Sequence, residues 1–148
     1  MVYDKKFISK LKVALPVKGH VYDVRKGKYL GLSDNLTIDL MPGEGQLFSI
    51  QKNKVGDLKM VLPAEVRKSD ALEVKWNLAG AVDGQVFRLE LFDPAGQLVK
   101  NYTATGHFAP GKGKFVFQFA MNDPAGLWKC RIVHVNSGKF AEKNINVK

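Results

Sequence analysis

Apolar residues recur at every second position along most of the chain, the period of a half-buried strand rather than of a helix. Leu58, Met60 and Leu62 alternate before Pro63. Leu72, Val74, Trp76 and Leu78 are interleaved with Glu73, Lys75 and Asn77, which predicts a strand with one buried and one wet face. Phe87, Leu89 and Leu91 alternate with Arg88 and Glu90, and a more polar strand is predicted over 97–105. Phe115, Phe117, Phe119 and Met121 form the next inward set, Trp128, Cys130 and Ile132 the one after, and Ile145 and Val147 belong to the last strand. Asp93-Pro94-Ala95-Gly96 and Asp123-Pro124-Ala125-Gly126 mark two tight corners. In each, aspartate accepts from nearby amides, proline presets φ, and glycine supplies φ > 0. Asn136-Ser137-Gly138 is a hairpin signal.

This pattern gives about seven strands in some 90 residues, with turns at the spacing of a sandwich. It predicts an all-β chain whose residues 57–148 form an immunoglobulin-like β-sandwich. Trp128-Lys129-Cys130 sits where an immunoglobulin domain places half of its inter-sheet disulfide, but the facing strand offers Val74 and Trp76 instead of a cysteine. Residues 1–56 read as a small antiparallel β unit. Residues 1–16 are open between a strand, a short helix and a linker. A strand over 21–24, a turn at Arg25-Lys26-Gly27-Lys28 and a mate over 29–32 make a hairpin. Ser33-Asp34-Asn35 reads as another turn, and Leu36, Ile38 and Leu40 then alternate. Met41-Pro42-Gly43-Glu44-Gly45 turns again, 46–51 form a last strand, and 52–56 link to the second unit. Four short strands barely bury a core alone. The first unit should therefore lean on the second, on a partner chain, or on an absent part of a longer polypeptide.

At 148 residues, 45% hydrophobic and 25% charged, the composition is that of a globular protein. No stretch approaches the roughly 20 apolar residues of a membrane-spanning helix, and the first residues lack the apolar core of a secretion signal. The net charge of +9 comes almost wholly from lysine: only Arg25, Arg67, Arg88 and Arg131 are arginines. The lysines are scattered among acids, as in Glu73-Val74-Lys75, which favours a solubilising surface that blunts edge strands over nucleic-acid binding.

Candidate chemistry is sparse. Gly106-His107-Phe108-Ala109-Pro110-Gly111-Lys112 has the spacing of a phosphate-binding loop, but Gly113 follows where serine or threonine belongs and a strand follows where a helix belongs. It reads as a glycine-rich hairpin loop. Gly43-Glu44-Gly45 lies in no βαβ unit. His20, His107 and His134 share no metal-binding spacing and read as surface or half-buried residues; no nucleophile elbow is present. No catalytic residue, metal or cofactor is expected. Trp76 and Trp128 fall in register with core residues, and Cys130 reads as a buried apolar side chain. Tyr102 and Phe108 are the residues from which a flat carbohydrate-contacting platform would be built.

The run His20-Val21-Tyr22-Asp23-Val24-Arg25-Lys26-Gly27-Lys28-Tyr29-Leu30-Gly31, with Asp34-Asn35-Leu36 and residues 40–50 after it, resembles the C-terminal, non-catalytic β-sandwich region of bacterial glycoside-hydrolase-like proteins, β-galactosidase-like ones included. The stretch after Lys59 resembles the immunoglobulin-like module appended to such chains, and Pro124-Ala125-Gly126-Leu127-Trp128 resembles a tryptophan corner common to bacterial immunoglobulin-like and macroglobulin-like domains. The resemblance covers about residues 19–148. It implies an accessory or interaction module without enzyme activity, working beside the rest of a larger hydrolase-like chain in an extracellular or periplasmic setting. A signal peptide would then lie upstream. The alternatives are an independent carbohydrate-binding module and a basic nucleic-acid-binding protein.

Overall fold

A computed structural model describes residues 9–40 and 43–148; the readings of residues 1–8 and of Met41 and Pro42 lie outside them. The described residues form eleven strands: β1 (Ser9–Asp23), β2 (Lys28–Leu40), β3 (Phe48–Gln51), β4 (Leu58–Val61), β5 (Glu65–Val66), β6 (Ala71–Leu78), β7 (Gln85–Phe92), β8 (Ala104–Phe108), β9 (Lys112–Gln118), β10 (Gly126–His134) and β11 (Phe140–Val147). They pair as three sheets, β2-β1-β3, β4-β6-β9 and β5-β11-β10-β7-β8. The last two enclose one core. Leu72, Val74, Trp76 and Leu78 of β6 pack with Phe87, Leu89 and Leu91 of β7, Trp128, Cys130 and Ile132 of β10, and Ile145 and Val147 of β11. The opening strand is split, β4 lying in one sheet and β5 pairing parallel with β11 in the other. The chain crosses between these two sheets after β4, β5, β6, β8 and β9. This is an immunoglobulin-like sandwich, as the alternation predicts.

Several local expectations need correction. Over 97–105 there is no continuous strand: Leu98 makes a single bridge with Phe92, a 3-10 turn (Lys100–Tyr102) follows, and pairing resumes only at β8. The turn carries Tyr102 inward against Phe117, Phe119 and Trp128, which a straight edge strand would not do. Met121 is 73% exposed, because β9 ends at Gln118 and the chain turns toward Asp123. The glycine-rich loop before Lys112 is not a hairpin. β8 pairs with β7 and β9 with β6, so the loop carries the chain from one sheet to the other. Ser33-Asp34-Asn35 makes no turn, since β2 runs through it. The irregularity falls on β1 instead, where Ala14 pairs with Asn35 and Gly19 with Ser33, leaving residues 15–18 bulged against Asp34 alone.

That bulge lets the long hairpin fold back. Straight, β1 would hold Ser9, the partner of Leu40, about 46 Å from Asp23. Yet Asp23 pairs with Phe48, and the chain from Leu40 to Phe48 reaches at most about 29 Å. The hairpin must bend, and its far end comes back beside its root: Thr37, Ile38 and Asp39 line a small cleft together with Asp23, Leu30 and Phe48. The Gln46 amide donates to the Asp39 carbonyl across it.

Candidate functional site

The first unit docks on the sandwich through one face of β1 and β3. Cross-strand partners share a face, so Tyr22 and Tyr29, Tyr22 and Ser49, and His20 and Gln51 all point the same way. Tyr22 enters the common core, where its hydroxyl accepts from the Val55 N–H at 2.8 Å. Val55, within the segment read as a linker, is itself buried. Burial raises the Tyr22 pKa, so the hydroxyl stays protonated. His20 bonds the Tyr29 hydroxyl at 2.7 Å.

Beside Tyr22 runs a polar chain. The Gln51 carbonyl oxygen accepts from the Gln85 amide, whose own oxygen meets His134 Nε2 at 2.7 Å, and His134 Nδ1 meets Ser137 Oγ at 2.7 Å. Asn136 reaches Ser49, and the Lys139 ammonium donates to the Gly56 carbonyl at 2.8 Å. At the rim the β1–β2 turn touches the β10–β11 turn backbone to backbone. Gly27 and Gly138, both with positive φ, lie so close that a Cβ on Gly138 would overlap the Gly27 backbone.

The outer face of the five-stranded sheet is built by the same alternation that makes its core. Because Leu89, Leu91, Cys130 and Ile132 face inward, Arg88, Glu90, Arg131 and Val133 face outward. Register sets Arg131 opposite Glu90 and Val133 opposite Arg88. Arg88 Nε donates to Glu90 at 2.7 Å, Arg131 Nη1 approaches the other oxygen of Glu90 at 3.5 Å, and Arg131 also pairs with Glu142. The β1–β2 turn overhangs this face. Between the two lies a cleft of about 320 Å³ lined by Arg25 and Lys26 from the turn, Arg88, Glu90 and Arg131 from the sheet, and Phe140. Three of the four arginines therefore meet in one place. Their positions in sequence, 25, 88 and 131, give no sign of it; only the docking of the turn over β7 and β10 does.

The residues singled out from the sequence lie elsewhere. Tyr102 packs on Phe117, Phe119 and Trp128, its hydroxyl donates to Asp123, and burial raises its pKa. Phe108 packs edge-on against Trp76 and Phe115. Both rings line the sandwich interior, in separate parts of one aromatic row, and do not form a shared exposed platform. Trp76, Trp128 and Cys130 are buried as their register predicts, and burial pushes the Cys130 thiol up to about 12. His107 is exposed and His20 half-buried. His134 differs from expectation: it is wholly buried, and desolvation, with Lys139 adding to it, brings its pKa down to about 4. Its outward neighbours Arg131 and Val133 place it in the inward register of β10, a signal already present in the alternation.

No family model and no curated protein matches the chain. Among solved structures it is similar to a β-glucosidase from Listeria innocua, at 16% identity and a TM-score of 0.44 over 64% of this chain and 16% of that one. It is also similar to a superoxide reductase (neelaredoxin) from Ignicoccus hospitalis, at 15% identity and 0.43 over 64% and 82%. A third is a CARDB domain from Pyrococcus furiosus solved with di-metal ions, at 14% identity and 0.40 over 65% and 89%. The chain thus spans a small fraction of the β-glucosidase it matches, and likeness of this degree is one of all-β fold alone.

Proposed function

We propose that the chain is a non-catalytic accessory or interaction module of a bacterial glycoside-hydrolase-like protein, acting outside the cytoplasm. The observation that carries this reading is the unfinished state of the first unit. Its three-stranded sheet closes one face on the sandwich, while Leu11, Leu30, Leu32 and Leu47 are 41 to 56% exposed and, among the described residues, β2 pairs with β1 alone. Such a surface suits the end of a larger sandwich whose other strands belong to the rest of a polypeptide. The groups with strongly perturbed pKa values in the interior, His134 and Cys130, are sealed in the core rather than set in a cleft where a substrate would meet them.

Hydrogen exchange on the chain together with a glycosidase assay tests the reading. Fast exchange along the outer half of β1 and β2 beside slow exchange in β6, β7 and β10 is expected, with no turnover of a panel of aryl glycosides. Turnover of any glycoside, or equal protection of hairpin and sandwich, would overturn it. Retention on DNA with a steep salt dependence would move the assignment to the nucleic-acid class.

A further inference from the structure

The cleft under the β1–β2 turn concentrates cationic chemistry that the sandwich does not need for its core. Of its lining side chains, Arg25, Lys26, Arg88 and Arg131 are basic and Glu90 alone is acidic. The neighbouring charges share the load unevenly. Lys26 has Asp23 at 3.5 Å, and Arg131 is divided between Glu90 and Glu142, the latter also 3.9 Å from Lys129. Arg88 uses only its Nε on Glu90, and its two terminal nitrogens have no hydrogen-bond partner among the described residues. Arg25 is held by the carbonyl of Gly45, which fixes the guanidinium without neutralising it. Glu90 is nearly buried between Arg88 and Arg131 and so positions them while compensating at most one.

A guanidinium with free terminal nitrogens is a fork matched to two oxygens of one anion. A chain that relies on lysine elsewhere has brought three guanidinium groups around one hollow. Among the described residues Arg88 keeps both terminal nitrogens open, while Arg25 has one held by Gly45 and Arg131 is shared between two carboxylates. Phe140 adds an exposed aromatic side chain at its edge, one face of which stacks on Arg131 at 5.1 Å. The volume, about 320 Å³, is that of a small-ligand site rather than of a long track.

We propose that this cleft binds one compact oxyanion, a carboxylate or a sulfate group, carried by a ligand whose body rests against Phe140. The inference stands apart from the accessory reading, since a catalytic chain and a non-catalytic one would bind such a group alike.

The test is a titration of the whole chain, followed by amide chemical shifts at constant ionic strength held with chloride, using sodium sulfate, sodium glucuronate and glucose as probes. Saturable shifts confined to the turn at residues 24–27, to 88–90 and to 131–138 are expected with sulfate and glucuronate, and none with glucose. Arg25→Gln, on an exposed turn, should weaken both anions about tenfold, the loss of one charge-assisted contact. Arg88→Gln should do the same with an unchanged circular dichroism spectrum. Glucuronate binding more tightly than sulfate, with the difference lost in Phe140→Ala, assigns part of the ligand to that ring; equal affinities assign the site to a free oxyanion. Shifts spread over lysines across the surface, linear uptake without saturation, or unchanged affinity in Arg25→Gln would overturn the proposal.

Discussion

Acidification reaches the core of this protein through the imidazole of His134. His134 is wholly buried, and its hydrogen bonds define its protonation state. The Gln85 amide nitrogen donates to Gln51 and to the Asp83 carbonyl, so the Gln85 oxygen is the atom turned toward His134. It can only accept. Nε2 therefore carries the proton, and Nδ1 accepts from the Ser137 hydroxyl. A second proton at Nδ1 would reverse that bond, the Ser137 hydroxyl turning to accept, and would leave a cation desolvated in the core, with the Lys139 ammonium adding to the repulsion. The unfolded chain has no such penalty and takes the proton near 6.5. Because the folded pKa lies lower, at about 4, the unfolded state binds more protons between these values, and stability falls as pH falls through that window. At 1.36 kcal/mol per pH unit the loss is about 2 kcal/mol at pH 5 and about 3 kcal/mol at pH 4, levelling below.

Urea denaturation followed by tryptophan fluorescence at pH 7.5, 6.5, 5.5 and 5.0 reads this directly. The carboxylates with lowered pKa values, Glu65 beside Lys148 and Glu73 beside Lys114 and Lys75, bring their own losses only below about pH 4.5, so the upper window belongs to the imidazole. His134→Gln, which does not titrate, should be less stable at pH 7.5 but nearly flat down to pH 5. A wild-type midpoint unchanged across the window, or the same slope in the variant, would refute the assignment. Since Gln85 and Gln51 connect this ring to β3, the acid-induced loss should also loosen the docked first unit.

Three further outcomes follow from packing. Trp128 is buried against Phe119 and donates its indole N–H to the Pro124 carbonyl at 2.9 Å, so Trp128→Ala should cost about 3–5 kcal/mol in the same denaturation assay. Cys130, protonated far above neutral pH and buried, should react with a thiol reagent only as fast as the chain unfolds; reaction at the rate of a free thiol would place β10 out of register. Gly138→Ala forces a side chain into the left-handed region (φ +71°) and onto Gly27, so limited proteolysis should cut the first unit sooner while β6 and β10 stay resistant.

What was legible in the sequence was whatever alternation encodes. The inward sets of β6, β7 and β10 follow from period two, since a one-residue slip would turn Trp76 or Trp128 to water. Alternation says nothing of where strands stop pairing. Phe115 to Met121 reads as one run, yet β9 ends at Gln118 because the backbone beyond it is claimed by the turn. The bulge opposite Asp34 was illegible for a similar reason: Ser33-Asp34-Asn35 carries turn chemistry, and only the return path to β3 decides which strand of the hairpin yields. The arginine cleft lay further out of reach, because its members come from three strands and turns brought together by docking rather than by spacing.

The two Asp-Pro-Ala-Gly corners show how far a local sequence determines its own use. In the first, Asp93 closes the turn on itself. Its carboxylate accepts from the Gln97 N–H at 2.8 Å, its own N–H donates to the Gln97 carbonyl at 2.9 Å, and Gly96 takes φ +79°. In the second, the Asp123 carboxylate accepts from the Ala120 N–H at 2.7 Å and from the Tyr102 hydroxyl, while the Pro124 carbonyl takes the Trp128 indole. The same four residues thus make an autonomous bend in one place and an anchor for two buried aromatic rings in the other. The difference is set by what lies across from them. The first corner borders solvent, and the second faces the 3-10 turn that presents Tyr102. A tetrapeptide fixes the direction of the chain, and the tertiary neighbours decide which of its hydrogen-bonding groups are left for other work.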